Sequence, residues 1–138
     1  MEGEPDFLDS NVWLYSFMAG QNVEKHLRAN ALIASSDVRI STQVIGEVCN
    51  TLTKKVKMPE SRIREIIASF YERYQPIEVD RPDQLLLASR LRERYRFSHW
   101  DSWIVVAALE SGCSKLYSED MQDGLVVSGT LTIRNPFR

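Results

Sequence analysis

The sequence predicts an α/β fold, with three layers (α/β/α) built around a central, mostly parallel sheet of four or five strands. Short apolar runs of strand length alternate along the chain with longer segments whose apolar residues recur every three or four positions. This alternation is typical of parallel strands joined by helices that cover both faces of a sheet. A length of 138 residues and a hydrophobic fraction of 43% favour one domain, spanning residues 1–138.

Four short runs are predicted as strands, and a fifth strand is expected within residues 126–133. The four runs are residues 6–8, 38–40, 77–79 and 115–117. Six helices are predicted at residues 11–18, 23–35, 43–56, 61–74, 83–95 and 101–111. Ser41 and Thr42 form a good N-cap pair for the third helix, Pro82 suits the first turn of the fifth, and Gly112 suits the end of the sixth.

Two packing expectations follow from the apolar patterns. The helix at 101–111 is apolar on nearly every side, so we expect it to be the most buried helix. In the helix at 23–35, Leu27, Ala31 and Ala34 share one face, which we expect to pack against the core. Two of the predicted crossovers hold two helices each, so one helix of each pair must stand off the sheet.

Four acidic residues are predicted at one edge of the sheet, directly after a strand or in the opening turns of a helix. They are Asp9, Glu47, Asp101 and Asp120. In open α/β sheets, ligands bind outside the carboxyl ends of the strands, where strands 6–8 and 115–117 can be neighbours. Ser10 and Asn11 follow the first acid directly and are candidate helpers or substrate contacts.

Each acid also has an ordinary structural explanation. Asp9 suits a helix N-cap, Glu47 suits a solvated helix face, and Asp101 suits the third position of a capping box begun by Ser98. Asp120 lies in a polar loop. A capping role and a ligand role can coexist, because a carboxylate has two oxygen atoms.

Together, the four carboxylates make a stronger prediction than any one of them. Two carboxylates about 4 Å apart repel by about 4 kcal/mol at an effective dielectric constant of about 20, so such a cluster needs protons or cations. Oxygen ligands of this kind suit Mg²⁺ or Mn²⁺. Zinc is not expected, because His26 and His99 are isolated and the cysteines lack ligand spacing.

The overall charge argues mildly against a nucleic-acid partner, but local basic runs offer a surface for one. The formal charge is −2 and the pI is about 5.7. The basic runs comprise Lys54, Lys55, Lys57, Arg62, Arg64, Arg90, Arg92, Arg94 and Arg96. The aromatic residues that are candidates for stacking on bases are Tyr15, Tyr71, Trp100 and Trp103, although core packing is the better explanation for the last.

The remaining composition predicts a cytoplasmic protein. Cys49 and Cys113 lie far apart in apolar surroundings, as reduced thiols do. The first five residues are acidic and lack the basic and apolar regions of a signal peptide. The longest apolar run, residues 103–109, is too short to span a bilayer, so no membrane partner is expected.

The ordered motifs of the chain resemble the PIN domain, and most closely the VapC-type toxin ribonucleases of bacterial toxin–antitoxin pairs. The motifs are Phe7-Leu-Asp9-Ser-Asn-Val, Ile40-Ser-Thr-Gln-Val-Ile-Gly-Glu47, Asp101-Ser-Trp-Ile-Val-Val-Ala-Ala, Leu116-Tyr-Ser-Glu-Asp120-Met-Gln-Asp-Gly and Asn135-Pro-Phe137. Each motif is weak by itself, but the ordered set covers essentially the whole chain.

The resemblance implies a PIN-like fold and Mg²⁺-dependent cleavage of RNA, with Mn²⁺ as a substitute metal. It also implies a homodimer and a cognate antitoxin that covers the site. By motif position, the catalytic and metal-binding acids carry over to Asp9, Glu47, Asp101 and Asp120, with Ser10 beside the metal. The fourth acid varies within the family, so Asp123 and Glu119 remain rivals for it. The resemblance assigns no role to His99 and Trp100.

Two other functions remain open at this stage. One is a catalytically weak PIN-fold regulatory module that acts with an antitoxin on DNA. The other is a Mg²⁺ phosphohydrolase or receiver-like domain, since an acid after the first strand is common there too. The second is disfavoured, because Asn11 occupies the place of a second acid and Lys115 is the one candidate lysine.

Overall fold

The computed structural model describes residues 3–138, so the first two residues of the acidic N-terminal segment lie outside the described part. Within it, the chain forms the predicted three-layer α/β/α domain with five strands and six helices. In chain order these are β1 (Asp6–Leu8), α1 (Ser10–Phe17), α2 (Val23–Ser35), β2 (Val38–Arg39), α3 (Thr42–Lys55), α4 (Glu60–Arg73), α5 (Pro82–Tyr95), α6 (His99–Glu110), β3 (Lys115–Tyr117), β4 (Val126–Val127) and β5 (Leu131–Arg134).

The sheet has the strand order β2-β1-β3-β5-β4. All neighbouring pairs are parallel except β4 and β5, which form an antiparallel hairpin. Phe7 of β1 lies opposite Arg39 of β2 on one side and Leu116 of β3 on the other. The chain therefore leaves β1 toward one side and returns to it from the other, which makes the crevice between the ends of β1 and β3 a topological switch point.

The core lies around β1 and α6. Phe7 and Leu8 are both fully buried, as a central parallel strand covered on both faces requires. Helix α6 is buried over five consecutive residues, 104–108, so the expectation that it is the most enclosed helix is confirmed. Helix α5 packs against α6, while α1 packs against α2 and α3. The ring of Trp13 meets the ring of Phe70 on α4 at a centroid distance of 5.1 Å.

The strand predicted at residues 77–79 is wrong. Ile77 makes one isolated parallel bridge to Ser41, and no ladder follows it within the described residues. The Glu78 carbonyl instead accepts a hydrogen bond from the buried side chain of Gln84 at 3.0 Å, because the backbone here turns into α5. Four helices therefore connect β2 to β3 without an intervening strand.

The packing face predicted for the second helix is also wrong. Leu27 is 62% exposed, and Ala31 and Ala34 are exposed as well. Helix α2 turns the opposite way and buries Ala29, with Leu32 and Ile33 beside it half-buried. Apolar residues lie on two faces of this helix, so periodicity alone does not select the inner one. No helix within residues 3–138 is both long and apolar enough to cross a membrane.

Candidate active site

Asp9 lies where β1 ends and α1 begins, and its side chain is fixed in place. It is the N-cap of α1, and its Oδ1 accepts a hydrogen bond from the Ser10 N–H at 2.7 Å. The Ser118 hydroxyl, just beyond β3, donates to Asp9 Oδ2 at 2.8 Å. Asp9 is only 4% exposed, and its backbone N–H bonds the Tyr117 carbonyl. The first acid therefore lies in the crevice at the switch point.

Asn11 joins the start of α1 to the loop after β3. Its Nδ2 donates to Asp120 Oδ2 at 3.1 Å, and its Oδ1 accepts from the Glu119 N–H at 3.2 Å. Ser118 Oγ also accepts from the Asp120 N–H at 3.2 Å. The fourth predicted acid is thus positioned beside the first through two polar side chains.

Glu47 lies in the second turn of α3, where the helix faces the start of α6. Gln43, one turn earlier, donates from Nε2 to Glu47 Oε2 at 3.1 Å and to the Trp100 carbonyl at 3.2 Å. Gln43 Oε1 is buried without a hydrogen-bond partner among the described residues, so it offers an acceptor beside the acid. Asp101 directly follows Trp100 in the first turn of α6.

The capping explanation for Asp101 is half confirmed. Its backbone N–H donates to the Ser98 hydroxyl at 3.1 Å, which makes Ser98 the N-cap. The other half of a capping box would be a hydrogen bond from the Ser98 backbone N–H to the Asp101 carboxylate. That bond is absent from the hydrogen bonds of residues 3–138. No backbone group therefore holds the Asp101 carboxylate within residues 3–138, while burial raises its pKa and the neighbouring Ser98 side chain opposes that rise.

The charges of the four acids are coupled. Burial, above all, raises the pKa of the Asp9 carboxyl from 3.8 to about 6. The negative charges of Asp101 and Glu47 act in the same direction, while the hydrogen bonds from Ser118 and Ser10 oppose it. Burial likewise raises the pKa of Asp101, and the charge of Asp120 adds to that effect. The like charges of Asp101 and Glu47 thus act on Asp9, and that of Asp120 acts on Asp101.

The donor chemistry of this pocket fits a hard divalent cation. None of the four acids takes part in a salt bridge within residues 3–138, whereas Glu119 pairs with Lys25 and Asp123 with Arg138. In the same residues, no three His, Cys, Asp or Glu side chains converge closely enough to hold a metal ion as they stand. The four acids therefore offer carboxylate oxygens without salt-bridge partners in the described residues, which a bound cation would have to draw together.

A comparison with protein-family models decides the family. The model described as the PIN domain matches residues 7–122, which is most of the chain and spans all four acids. The chain belongs to the PIN domain family. This membership favours the nuclease hypothesis over the phosphohydrolase or receiver-like alternative. No curated protein matches the sequence significantly.

Solved structures of similar shape support the PIN fold. The VapC20 toxin of Mycobacterium tuberculosis, described as cleaving the sarcin-ricin loop, is 21% identical, with a TM-score of 0.65 over 80% of this chain and 86% of that one. A toxin–antitoxin complex from Klebsiella pneumoniae is 17% identical, with a TM-score of 0.67 over 95% and 97%. FitAcB from Neisseria gonorrhoeae is 15% identical, with a TM-score of 0.64 over 96% and 98%.

The loop after β3 separates the rivals for the fourth acid of this PIN domain. Glu119 Oε1 accepts from the Tyr15 hydroxyl at 2.9 Å, and its other oxygen binds the Lys25 ammonium. Asp123 Oδ1 accepts from the Asn135 N–H at 2.8 Å, which ties it to the C-terminal segment. Asp120 is the loop acid whose charge acts on Asp101. These contacts favour Asp120 over both rivals.

Two side chains that support the site were not predicted. Ser118 is fully buried and joins Asp9 to the backbone of the loop, and Gln43 joins Glu47 to the start of α6. Ser118 directly follows a strand, and Gln43 lies one turn before Glu47. Those positions are the only sequence signals for them, and both residue types are common there without any such role.

Some of the predicted basic residues are exposed to solvent, and others are held by hydrogen bonds to neighbouring side chains. Lys54, Lys55 and Lys57 are exposed at the end of α3, and Lys55 lines a cavity of about 180 Å³ together with Asn11. Arg92 is half-buried and donates to the Ser102 hydroxyl at 2.8 Å. A second cavity of about 590 Å³ lies by β2 and holds none of the four acids. Lys55 is thus connected to Asn11, although none of the four acids lines the smaller cavity either.

Proposed function

We propose that this PIN domain is a metal-dependent endoribonuclease, the VapC-type toxin of a type II toxin–antitoxin pair. The proposal is supported by Asp9, which is buried at the switch point and feels the charges of Asp101 and Glu47, while Asp101 feels that of Asp120, and none of the four has a salt-bridge partner in residues 3–138. Retaining such a set at an energetic cost is typical of a site that binds a cation.

In this proposal Asp9 and Asp101 are the central ligands of Mg²⁺, for which Mn²⁺ substitutes. Glu47 and Asp120 complete the set directly or through water. At these residues, Mg²⁺ would lower the pKa of a bound water molecule and would stabilise charge at the scissile phosphate. The protein contributes orientation, since Ser10 and Ser118 hold the Asp9 carboxylate by one bond to each oxygen.

The proposed reaction is hydrolysis of an RNA phosphodiester bond by in-line attack of water. By family likeness, the products carry a 5′ phosphate and a 3′ hydroxyl. Asn11 links α1 to Asp120 and also lines the cavity that contains Lys55, so it is placed to contact both the acids and the substrate backbone. The similarity in fold to a toxin described as cleaving the sarcin-ricin loop supports RNA as the substrate class.

The proposed partners are a cognate antitoxin that covers the acids and a second copy of the chain in a homodimer, in the cytoplasm. The similarity in fold to a toxin–antitoxin complex, over nearly the full length of both chains, supports the antitoxin.

A cleavage assay with matched acid variants tests the activity. Purified protein is mixed with cellular RNA and Mg²⁺, with and without EDTA. We expect Asp9→Asn and Asp101→Asn to lower cleavage by about 100-fold or more, because each removes a charged ligand from the reacting centre. Asp123→Asn, which changes an acid of the same loop that binds the C-terminal segment, should cleave like the wild type. Equal cleavage by all four proteins would refute the assignment.

The regulatory alternative also has an observation in its favour, because the acids do not form a closed metal cage in residues 3–138. Under this alternative, the chain acts with its antitoxin on DNA and catalysis is absent or weak. Growth arrest after expression without antitoxin, relieved by Asp101→Asn, supports the nuclease. Harmless expression of both proteins supports the regulatory module.

A further inference from the structure

Three aromatic side chains form a cluster at the start of α6. The ring centroids of His99 and Trp100 are 4.8 Å apart, those of Trp100 and Trp103 are 5.0 Å apart, and those of His99 and Trp103 are 5.6 Å apart. The two pairs that include Trp100 meet edge to face, at 86° and 65°. Such pairs stabilise one another beyond the area that they bury, so the cluster holds its rings in fixed orientations.

The cluster is anchored at one end and open at the other. Trp103 is half-buried and packs against the core, whereas Trp100 is 55% exposed. Trp100 therefore presents a large aromatic ring to solvent while Trp103 holds the cluster to the core, an arrangement suited to stacking on a base.

The cluster adjoins Asp101 in the chain and is connected to Glu47 through Gln43. Trp100 directly precedes Asp101, and the Trp100 carbonyl accepts a hydrogen bond from the same Gln43 amide that bonds Glu47. Consecutive residues of a helix point about 100° apart, so the Trp100 ring and the Asp101 carboxylate occupy adjacent sectors of α6. The Trp100 ring therefore projects from the same helical turn as one of the acids.

The negative charge of the acids favours a substrate contact that does not depend on charge. Four acids repel the phosphates of a nucleic acid, and the whole chain carries a formal charge of −2. Stacking of a base on an aromatic ring is independent of that repulsion and tolerates any base.

We propose that Trp100, backed by His99 and Trp103, is a stacking platform for a base of single-stranded RNA next to the scissile phosphate. The proposal rests on the proposed function, since it names a substrate contact of that site. It makes Trp100 a binding residue that orients the strand across the acids.

The test is the affinity for a labelled single-stranded RNA oligonucleotide in EDTA, measured by fluorescence anisotropy. Trp100→Ala should raise Kd about tenfold or more, Trp100→Leu should do nearly the same, and Trp100→Phe should retain most of the affinity. The leucine variant keeps apolar bulk without a π face, so it separates stacking from simple packing. Leu27→Ala, which removes a 62% exposed apolar side chain from α2, is the matched control and should leave Kd unchanged.

In Mg²⁺, Trp100→Ala should raise KM by a similar factor and leave kcat within about twofold.

If Trp100→Ala and Trp100→Leu bind RNA as the wild type does, while cleavage still depends on Asp9, the platform is refuted and the nuclease stands. If cleavage does not depend on Asp9, the nuclease is refuted, and binding in EDTA still decides the platform. Weaker binding to a protein partner with unchanged RNA affinity also overturns the inference.

Discussion

The burial of the Asp9 carboxylate lowers the stability of the folded protein, although the proposed function requires this acid. Its carboxylate is almost fully buried, and burial together with the charges of Asp101 and Glu47 raises its pKa to about 6. The ionised form is therefore less favourable in the folded chain than in the unfolded one. Ser10 and Ser118 offset part of this penalty through their hydrogen bonds.

Asp9→Asn should stabilise the metal-free protein at neutral pH. Because the folded pKa of about 6 exceeds the unfolded value of 3.8, the folded state binds more protons between these values, so wild-type stability falls as pH rises through that window. Above it, the penalty is at most about 3 kcal/mol. We expect Asp9→Asn to gain about 1–3 kcal/mol in urea unfolding at pH 7.5 in EDTA, and the gain to vanish near pH 4. A variant less stable than the wild type at pH 7.5 would contradict this explanation of Asp9.

Ser118→Ala should act on Asp9 without removing any acid. The hydroxyl donates to Asp9 and accepts from the loop backbone, and its bond to Asp9 lowers the carboxyl pKa. Without it, the pKa of Asp9 rises further, so the acid limb of the pH–rate profile should move to higher pH. Ser35→Ala, at the exposed end of α2, is the control. An unmoved acid limb in Ser118→Ala would show that the hydroxyl does not tune Asp9.

At the scale of single residues, the sequence carries local signals for the candidate acids but not for the side chains that bond to them. Asp9 and Asp101 are predictable because cap positions are local signals in the chain. Ser118 acts on Asp9 across a sequence separation of 109 residues, and such a contact depends on strand pairing rather than on neighbours.

At the scale of elements, the first acid and its buried hydrogen-bond donor lie where β1 and β3 end side by side. The crevice arises because β1 and β3 pair in parallel, so that Asp9 and Ser118 follow the ends of neighbouring strands. The alternating apolar patterns predict the order of helices and strands along the chain, but they do not predict the conformation of residues 77–79. A three-residue apolar run becomes a strand only if a partner completes the ladder, and here Gln84 binds the backbone instead.

The loop after β3 should loosen when Asn11 is replaced. In Asn11→Ala, the Glu119 N–H loses its acceptor and Asp120 loses a donor. We expect faster hydrogen exchange at residues 118–121 and a fall in cleavage smaller than that of Asp9→Asn, because the loop stays pinned through Tyr15 and Lys25. Asn50→Ala, exposed on α3, serves as the control. Unchanged exchange in this loop would count against the role assigned to Asn11.

At the scale of the whole molecule, a slightly acidic chain must still hold a polyanion. Lys54 and Lys55 are exposed at the end of α3, and Lys55 shares a cavity with Asn11. Binding through such residues releases counterions, so the logarithm of the binding constant falls linearly with the logarithm of the salt concentration.

The double variant Lys54→Ala/Lys55→Ala should therefore reduce the salt slope of RNA binding. The slope should fall by about 0.7 for each phosphate that a lysine no longer neutralises, or by about 1.4 for both lysines. Anisotropy titrations across a range of salt concentrations measure the slope. Lys115→Ala, exposed at the start of β3 on the opposite edge of the sheet, should leave it unchanged. If the double variant keeps the wild-type slope, the RNA does not follow the α3 lysines.

The most direct test of the shared acidic site is a calorimetric titration of the metal-free protein with Mn²⁺. We predict a saturable heat for the wild type and for Asp123→Asn, whose acid binds the C-terminal segment. Asp9→Asn and Asp101→Asn should lack most of that heat, because each removes a central oxygen ligand from the shared negative field. The same heat in all four proteins would contradict the claim that these acids form a metal site.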